Sequence, residues 1–199
     1  MQNAIVRAKE LFIYDMRKHK LMTGIAVVVL VGAVFGAWRW YGGSQSAQEV
    51  SAPADWQMYT SETMNLSIAY DSKLTKHSDS ASDVRFSMWG PTQKGQTEMY
   101  DGIIFSMRTF PTPSGTDAYI KSQEQMFKDV GTITKPLSDE ILAGESVKRI
   151  QVSALGDFDI IYIPRSDTTM LEISFMTPDP TNAGFRAIVD TMLSTLRLK

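Results

Sequence analysis

The 199-residue chain has no cysteine. That excludes disulfides, thiolate zinc sites, thiol nucleophiles and lipid attachment through an N-terminal cysteine. Histidine is scarce, with His19 in the first segment and His77 beyond it. A histidine-based nucleophile triad therefore has poor support. There is no G-x-S-x-G, no Walker A sequence and no G-x-G-x-x-G. From residue 55 onward there are 14 Lys and Arg against 19 Asp and Glu, a net charge of −5. This is the wrong sign for a nucleic-acid surface. No internal repeat or low-complexity stretch is visible in that region.

Against these absences stands one long apolar run. Leu21–Ala37 passes 17 residues without a charge. At about 1.5 Å per residue it spans roughly 25 Å, and the aromatic residues after it complete a bilayer crossing. Arg17, Lys18 and Lys20 precede the run, and Trp38, Arg39, Trp40 and Tyr41 follow it. The first 20 residues hold Arg7, Lys9, Arg17, Lys18 and Lys20 against Glu10 and Asp15. Basic flanks of a span stay on the cytoplasmic side. The expected topology is N-terminus inside, C-terminal part outside, with Trp38, Trp40 and Tyr41 as the outer aromatic belt and Arg39 snorkelling to the headgroups. A cleaved signal sequence is the rival. The run exceeds a usual signal core, its leader is long, and it ends in bulky aromatics instead of a small-residue site. Ser44-Gln45-Ser46 is a weak match to such a site, so a retained anchor is expected.

Within the span, Gly32 and Gly36 form a G-x-x-x-G that suits close approach of two helices and homo-oligomerisation. Glycine is also common in membrane helices without that role. In residues 1–20, Ile5, Ala8, Phe12 and Met16 fall at helical spacing, which suggests an amphipathic cytoplasmic segment. A plain basic flank that sets topology explains the leader as well.

The expected organisation is a basic cytoplasmic segment over 1–20, a transmembrane helix over 21–41, a flexible linker over 42–54 and an extracytoplasmic domain over 55–199. The linker reads GGSQSAQEVSAPA and has nothing to bury. In the domain, Trp56–Tyr59 and Leu66–Tyr70 flank a turn over Ser61–Asn65 and suggest a hairpin. Asp83–Gly90 and Gly102–Phe110 follow as strands. Thr116 or Asp117 is expected to cap a helix over Ala118–Val130, with Gly131 as its stop. Thr132–Thr134, Glu140–Ala143, Ser146–Val152, Phe158–Ile163 and Met170–Met176 read as further strands. Pro178-Asp179-Pro180 ends the sheet, and Thr181 or Asn182 opens a last helix with Phe185, Ile188, Val189, Met192 and Leu193 on its apolar face. Hairpin-length loops imply an antiparallel sheet covered by helices, an α+β fold.

Three stretches resemble the PsbP-like superfamily, named for an extrinsic protein of photosystem II. Tyr59 through Asp71 resembles its opening hairpin, with Asn65 where the family has glycine and Asp71 where it has proline. Ala143-Gly144-Glu145-Ser146-Val147-Lys148-Arg149, Ile160–Pro164 and Leu171–Phe175 resemble its later half. Met192–Leu198 resembles its closing segment. The resemblance implies an α-β-α sandwich around an antiparallel sheet. It also implies a mainly non-catalytic module that docks on membrane assemblies. The anchor, without a chloroplast-type leader, suggests a bacterial-type envelope protein.

Few residues suggest chemistry. His77, Asp79 and Asp83 have the types of a divalent-metal site, but their serine-rich surroundings read as a surface loop. Asp157 with Asp159, and Asp139 with Glu140, read as solvated turn positions without acid–base spacing. Twelve methionines are many for this length, and core filling is their default role, with an adaptable binding face as the alternative. The sequon Asn65-Leu66-Ser67 falls at a predicted strand. Trp89 and Tyr100 flank the polar stretch Thr92–Asp101 and are the candidate partner-binding residues. A tryptophan that completes the core competes with that reading.

The expectation is therefore a single-pass, non-catalytic binding or accessory protein in the cell membrane, without cofactor. Its partners are the lipid bilayer and a membrane or envelope protein. A structural subunit of an envelope or secretion complex and an unrecognised carboxylate-based enzyme are the alternatives. A reporter active only outside the cytoplasm, fused after Lys199, is expected to be active, with the chain retained in membranes after carbonate extraction. A shorter soluble product would contradict this topology.

Overall fold

In the computed structural model, which describes residues 52–95, 98–154 and 156–199, apolar alternation resolves into ten strands and two helices. Strands β1 (Gln57–Ser61), β2 (Leu66–Tyr70), β3 (Thr75–Ser80), β4 (Asp83–Trp89) and β5 (Gly102–Pro111) precede helix α1 (Thr116–Val130). Strands β6 (Thr132–Leu142), β7 (Glu145–Ser153), β8 (Asp157–Ser166) and β9 (Thr169–Met176) follow, then α2 (Phe185–Thr195) and β10 (Arg197–Leu198). Every strand pairing is antiparallel. β1, β2 and β10 form a three-stranded sheet, and the others form a seven-stranded sheet in the order β3-β4-β5-β9-β8-β7-β6.

Strand alternation sends the apolar residues of the large sheet to both faces. One face carries Val84, Phe86, Phe105, Ile161, Ile173 and Phe175, which pack with Leu66 and Ile68 of β2 and Phe185, Val189 and Met192 of α2. Phe86, Phe105 and Phe175 follow one another across this face, with ring centroids 6.3 and 6.0 Å apart. The other face carries Ile150, Val152, Ile160, Tyr162 and Met170, covered by Ile120, Tyr119 and Phe127 of α1. Among the described residues, no buried cluster on this second face includes a side chain of β3 or β4. Half of that face is therefore without cover from α1.

The local differences from the sequence-based expectation have physical causes. The serine-rich stretch around His77 is an edge strand, β3, and not a loop. It needs hydrogen bonds from one neighbour only, and Ser78 Oγ adds bonds to the carbonyls of Ser80 and Asp83. The two short segments expected over residues 132–143 are one edge strand, whose register shifts near Lys135 accommodate Pro136. Neither helix starts on its expected hydroxyl or amide cap. Gly115 caps α1 without a side-chain bond. α2 begins at Phe185, and the Asp179 carboxylate accepts the N–H groups of Ala183 (2.7 Å), Gly184 (2.7 Å) and Phe185 (3.3 Å). The slight desolvation of Asp179 is outweighed by these backbone bonds, with help from Thr181, so its carboxyl lies below the usual range. The opening hairpin stands in its own sheet, apart from the large one.

Asn65 stands at φ 54, a left-handed conformation that asparagine tolerates better than other side-chain-bearing residues. Its side chain donates to the Lys199 carbonyl, and Lys199 N–H donates to the Asn65 carbonyl at 2.9 Å. Asp71 makes a local turn, its carboxylate accepting Lys73 N–H at 2.9 Å. Asn65 and Asp71 thus each serve a turn.

The span 21–41, with Gly32 and Gly36, and the flanking Arg17, Lys18, Lys20, Trp38, Arg39, Trp40 and Tyr41 lie outside the described residues. No helix among the described residues is long and apolar enough to cross a membrane.

A truncated chain starting at residue 51 is expected to unfold in one cooperative urea transition, because the apolar central strands are covered on both faces from within residues 52–199. Phe105→Ala, at the centre of the ring series, is expected to lower its stability by about 3–5 kcal/mol. An aggregated or molten truncated chain would contradict the prediction.

Candidate functional site

Alternation along β8 turns Asp159, Ile161 and Ile163 to the face that α2 covers, and Asp159 stands opposite Phe175 in the register with β9. β7 brings Arg149 and Gln151 to the same face, opposite Ile161 and Asp159. The first turn of α2 adds Arg186. Asp159 is 5% exposed. It accepts two bonds from Arg149, from Nε to Oδ1 at 2.6 Å and from Nη2 to Oδ2 at 2.7 Å. Gln151 Nε2 donates to Oδ2 at 2.7 Å, and Arg186 Nη1 does so at 3.2 Å. Arg149 also reaches Glu140 at 3.1 Å, and Arg186 reaches Asp190 at 2.9 Å. Both guanidiniums lie over the Phe175 ring, 5.8 and 5.1 Å from its centroid.

The electrostatics follow from this geometry. Burial by itself would raise the Asp159 carboxyl. The bonds and charge of Arg149, then Gln151 and Arg186, outweigh that cost and hold the carboxyl below the usual range. The same Asp159 bonds push the Arg149 guanidinium up. Asp159 is therefore an acceptor that is already saturated, held as an anion between two cations. That disposition suits orientation and not proton donation.

This cluster borders a cavity of about 600 Å³ at the end of the sheet where β8 starts and β9 ends. Asp157, Asp159, Phe175, Arg186 and Tyr100 contribute to its wall. Tyr100 is 40% exposed. Its hydroxyl donates to the Thr92 carbonyl at 2.7 Å and accepts Lys94 N–H. The loop between β4 and β5 is further closed by Asp101, which is fully buried and accepts Thr92 N–H at 2.7 Å and the Thr92 hydroxyl at 2.6 Å. Gly90 is required there, since a Cβ at that position would stand 2.1 Å from Asp101 Oδ1.

Trp89 lines a different cleft, of about 390 Å³, on the half of the second face that α1 leaves open. Thr75, His77, Arg85, Ser87 and Ile104 share it. Trp89 is 48% exposed, so it does not complete the core. His77 Nε2 is 3.1 Å from Ser87 Oγ. Trp89 and Tyr100 are thus both accessible, but they line separate cavities.

Among the described residues no three His, Asp or Glu side chains converge in a way that would hold a metal ion. The solvated-turn reading of Asp159 is corrected: it is a buried strand residue, and Glu140 is bound to Arg149. Glu172 is another buried carboxylate. Arg108 bonds it at 2.8 Å, and Tyr119 Oη lies 3.3 Å from it. Burial raises the Tyr119 hydroxyl, and the Glu172 charge raises it further. A carboxylate at an inward position of an apolar strand was the available signal for Asp159. Most domain methionines fill the core, but Met58 and Met126 are exposed.

No known family model matches the chain, and no curated protein matches its sequence. The solved structures that the chain resembles in part include the following two. A crystal structure from Bacteroides thetaiotaomicron VPI-5482 shares 17% identity at a TM-score of 0.38, covering 73% of this chain and 49% of that one. This chain thus spans about half the length of that protein. The solution structure of cyanobacterial PsbP (CyanoP) from Synechocystis sp. PCC 6803 shares 12% identity at a TM-score of 0.47, covering 74% of this chain and 95% of that one. At these values neither likeness carries an argument about function. The α+β class with antiparallel sheets stands on the structure itself.

Asp159→Asn is expected to destabilise the domain by about 3 kcal/mol, because Arg149 would be left half-buried without its main counter-charge. The carboxyl is depressed in the folded state. Its contribution is therefore present above the unfolded value of about 3.9 and is lost as pH falls through the lower folded value. Urea melts should show the difference between wild type and Asp159→Asn shrinking below about pH 4.

Proposed function

We propose that the chain is a membrane-tethered accessory protein whose outer, PsbP-like domain docks on a protein of a membrane or envelope assembly. The observation that carries this reading is the order of segments. A basic leader, an uncharged run, an aromatic belt and a small-residue tether precede a domain whose central strands are covered on both faces from within. Tethering raises the local concentration of the domain near a membrane-bound partner, so a weak contact suffices. Two carboxylates, Asp157 and Asp159, share the cavity of about 600 Å³, and this is the observation that favours a carboxylate enzyme. The depressed, fully bonded state of Asp159 weighs against it, since a general acid needs a raised carboxyl.

Purification of the intact chain in mild detergent tests the proposal. One membrane protein is expected in stoichiometric amount. The truncated chain starting at residue 51 should bind that protein on the order of 10²-fold more weakly in membranes. If residues 1–41 alone retain the partner, the chain is instead a structural subunit held by helix packing. If no protein accompanies the intact chain, the docking proposal falls.

A further inference from the structure

We infer that the open cleft of β3, β4 and β5 recognises an acidic, extended segment of a partner protein. This inference deepens the docking proposal and rests on it. The cleft is lined by Thr75, His77, Arg85, Ser87, Trp89 and Ile104. Among the described residues, Arg108, Arg149 and Arg186 each bind a carboxylate, and Arg165 and Arg197 bind carbonyls. Arg85 is exposed, and its side chain has neither an ion pair nor a hydrogen bond among the described residues. No described carboxylate lines the cleft. In a domain with 19 acidic against 14 basic residues, Arg85 is the one formal charge among the described residues that line the cleft.

The spacing then restricts the partner. Arg85 and Trp89 stand four residues apart on one face of β4, with Ser87 between them. At about 3.3 Å per residue they are separated by roughly 13 Å. An extended segment laid along β4 meets both when it carries a carboxylate at one position and an apolar side chain four residues away. The carboxylate takes the Arg85 guanidinium. The apolar side chain lies on the exposed Trp89 ring. An anionic bilayer is a weaker occupant, because the net negative charge of the domain opposes it.

The test uses the intact chain in detergent micelles and fluorescein-labelled Ser/Thr octapeptides with one glutamate and one leucine. Fluorescence anisotropy should favour the pair spaced four residues apart over spacings of three or five. Exchange of the peptide glutamate for glutamine should weaken binding about tenfold. Arg85→Gln should cost about the same, and Trp89→Ala should remove the preference for leucine. Arg85→Glu should transfer the preference to peptides with lysine. Ile141→Ser, on the opposite edge strand, should change nothing, and unaltered melting of each variant secures these comparisons. Equal binding of glutamate and glutamine peptides overturns the inference, as does indifference to Arg85→Gln. Arg85-dependent binding to phosphatidylglycerol vesicles without peptide selectivity, or self-association through this face, overturns it too. If a partner copurifies with the intact chain but survives Arg85→Glu, the face is misassigned while the docking proposal stands.

Discussion

Two adjacent strands set the terms for the rest of the fold. β8 and β9 are apolar on both faces: Ile161, Ile163, Leu171 and Ile173 point one way, Ile160, Tyr162 and Met170 the other. A sheet with such strands at its centre cannot leave either face in water. One face takes α2 together with the opening hairpin, and the other takes α1. At about 25 cal/mol per Å² of buried apolar surface, the central aromatic and aliphatic side chains dominate the favourable side of folding. The outer strands carry fewer apolar residues. Cover can therefore be incomplete over β3 and β4, and the cleft beside Trp89 exists because the central demand is met elsewhere.

The ion cluster around Asp159 has a different effect. Buried ion pairs seldom add much stability over an apolar alternative, since desolvation offsets attraction. They do penalise wrong arrangements. A one-residue slip of β8 against β7 would turn Asp159 toward the apolar layer beneath α1 and part it from Arg149. The cluster also ties elements distant in sequence, with Arg186 of α2 and Glu140 of β6 meeting around the same two strands. The large cavity therefore has a wall whose charges are fixed in place, and neither cation is free to seize a ligand without releasing a carboxylate.

Much of this architecture was legible in the sequence. The α+β class, the placement of both helices and eight of the strand regions follow from alternation, breakers and amphipathic spacing. What escaped did so for definable reasons. β3 is polar on both sides, so period-two hydrophobicity has nothing to mark; its strand state comes from pairing with β4. β6 is interrupted by Pro136, which an edge strand absorbs through register shifts that composition does not show. The caps of both helices come from glycines and from Asp179, several residues upstream of α2. Trp89 and Tyr100 were legible as aromatics beside a polar loop, but neither the exposure of Trp89 nor their separation into two cavities was. The partners of Asp159 lie on two other strands and a helix. A single sequence without alignment carries no sign of such a meeting, although a carboxylate in the apolar period of β8 was visible.

The short strand β10 pairs Leu198 with Leu66 and Arg197 with Ser67, and Lys199 is bonded to Asn65. The second strand of the domain thus waits for a neighbour made near the other end of the chain. During synthesis, Leu66, Ile68 and Tyr70 emerge long before α2 and β10 can meet them. Closing so large a loop is entropically costly and slows the final step. The nascent hairpin is therefore a sticky, half-finished surface, and its protection falls to whatever machinery receives the growing polypeptide.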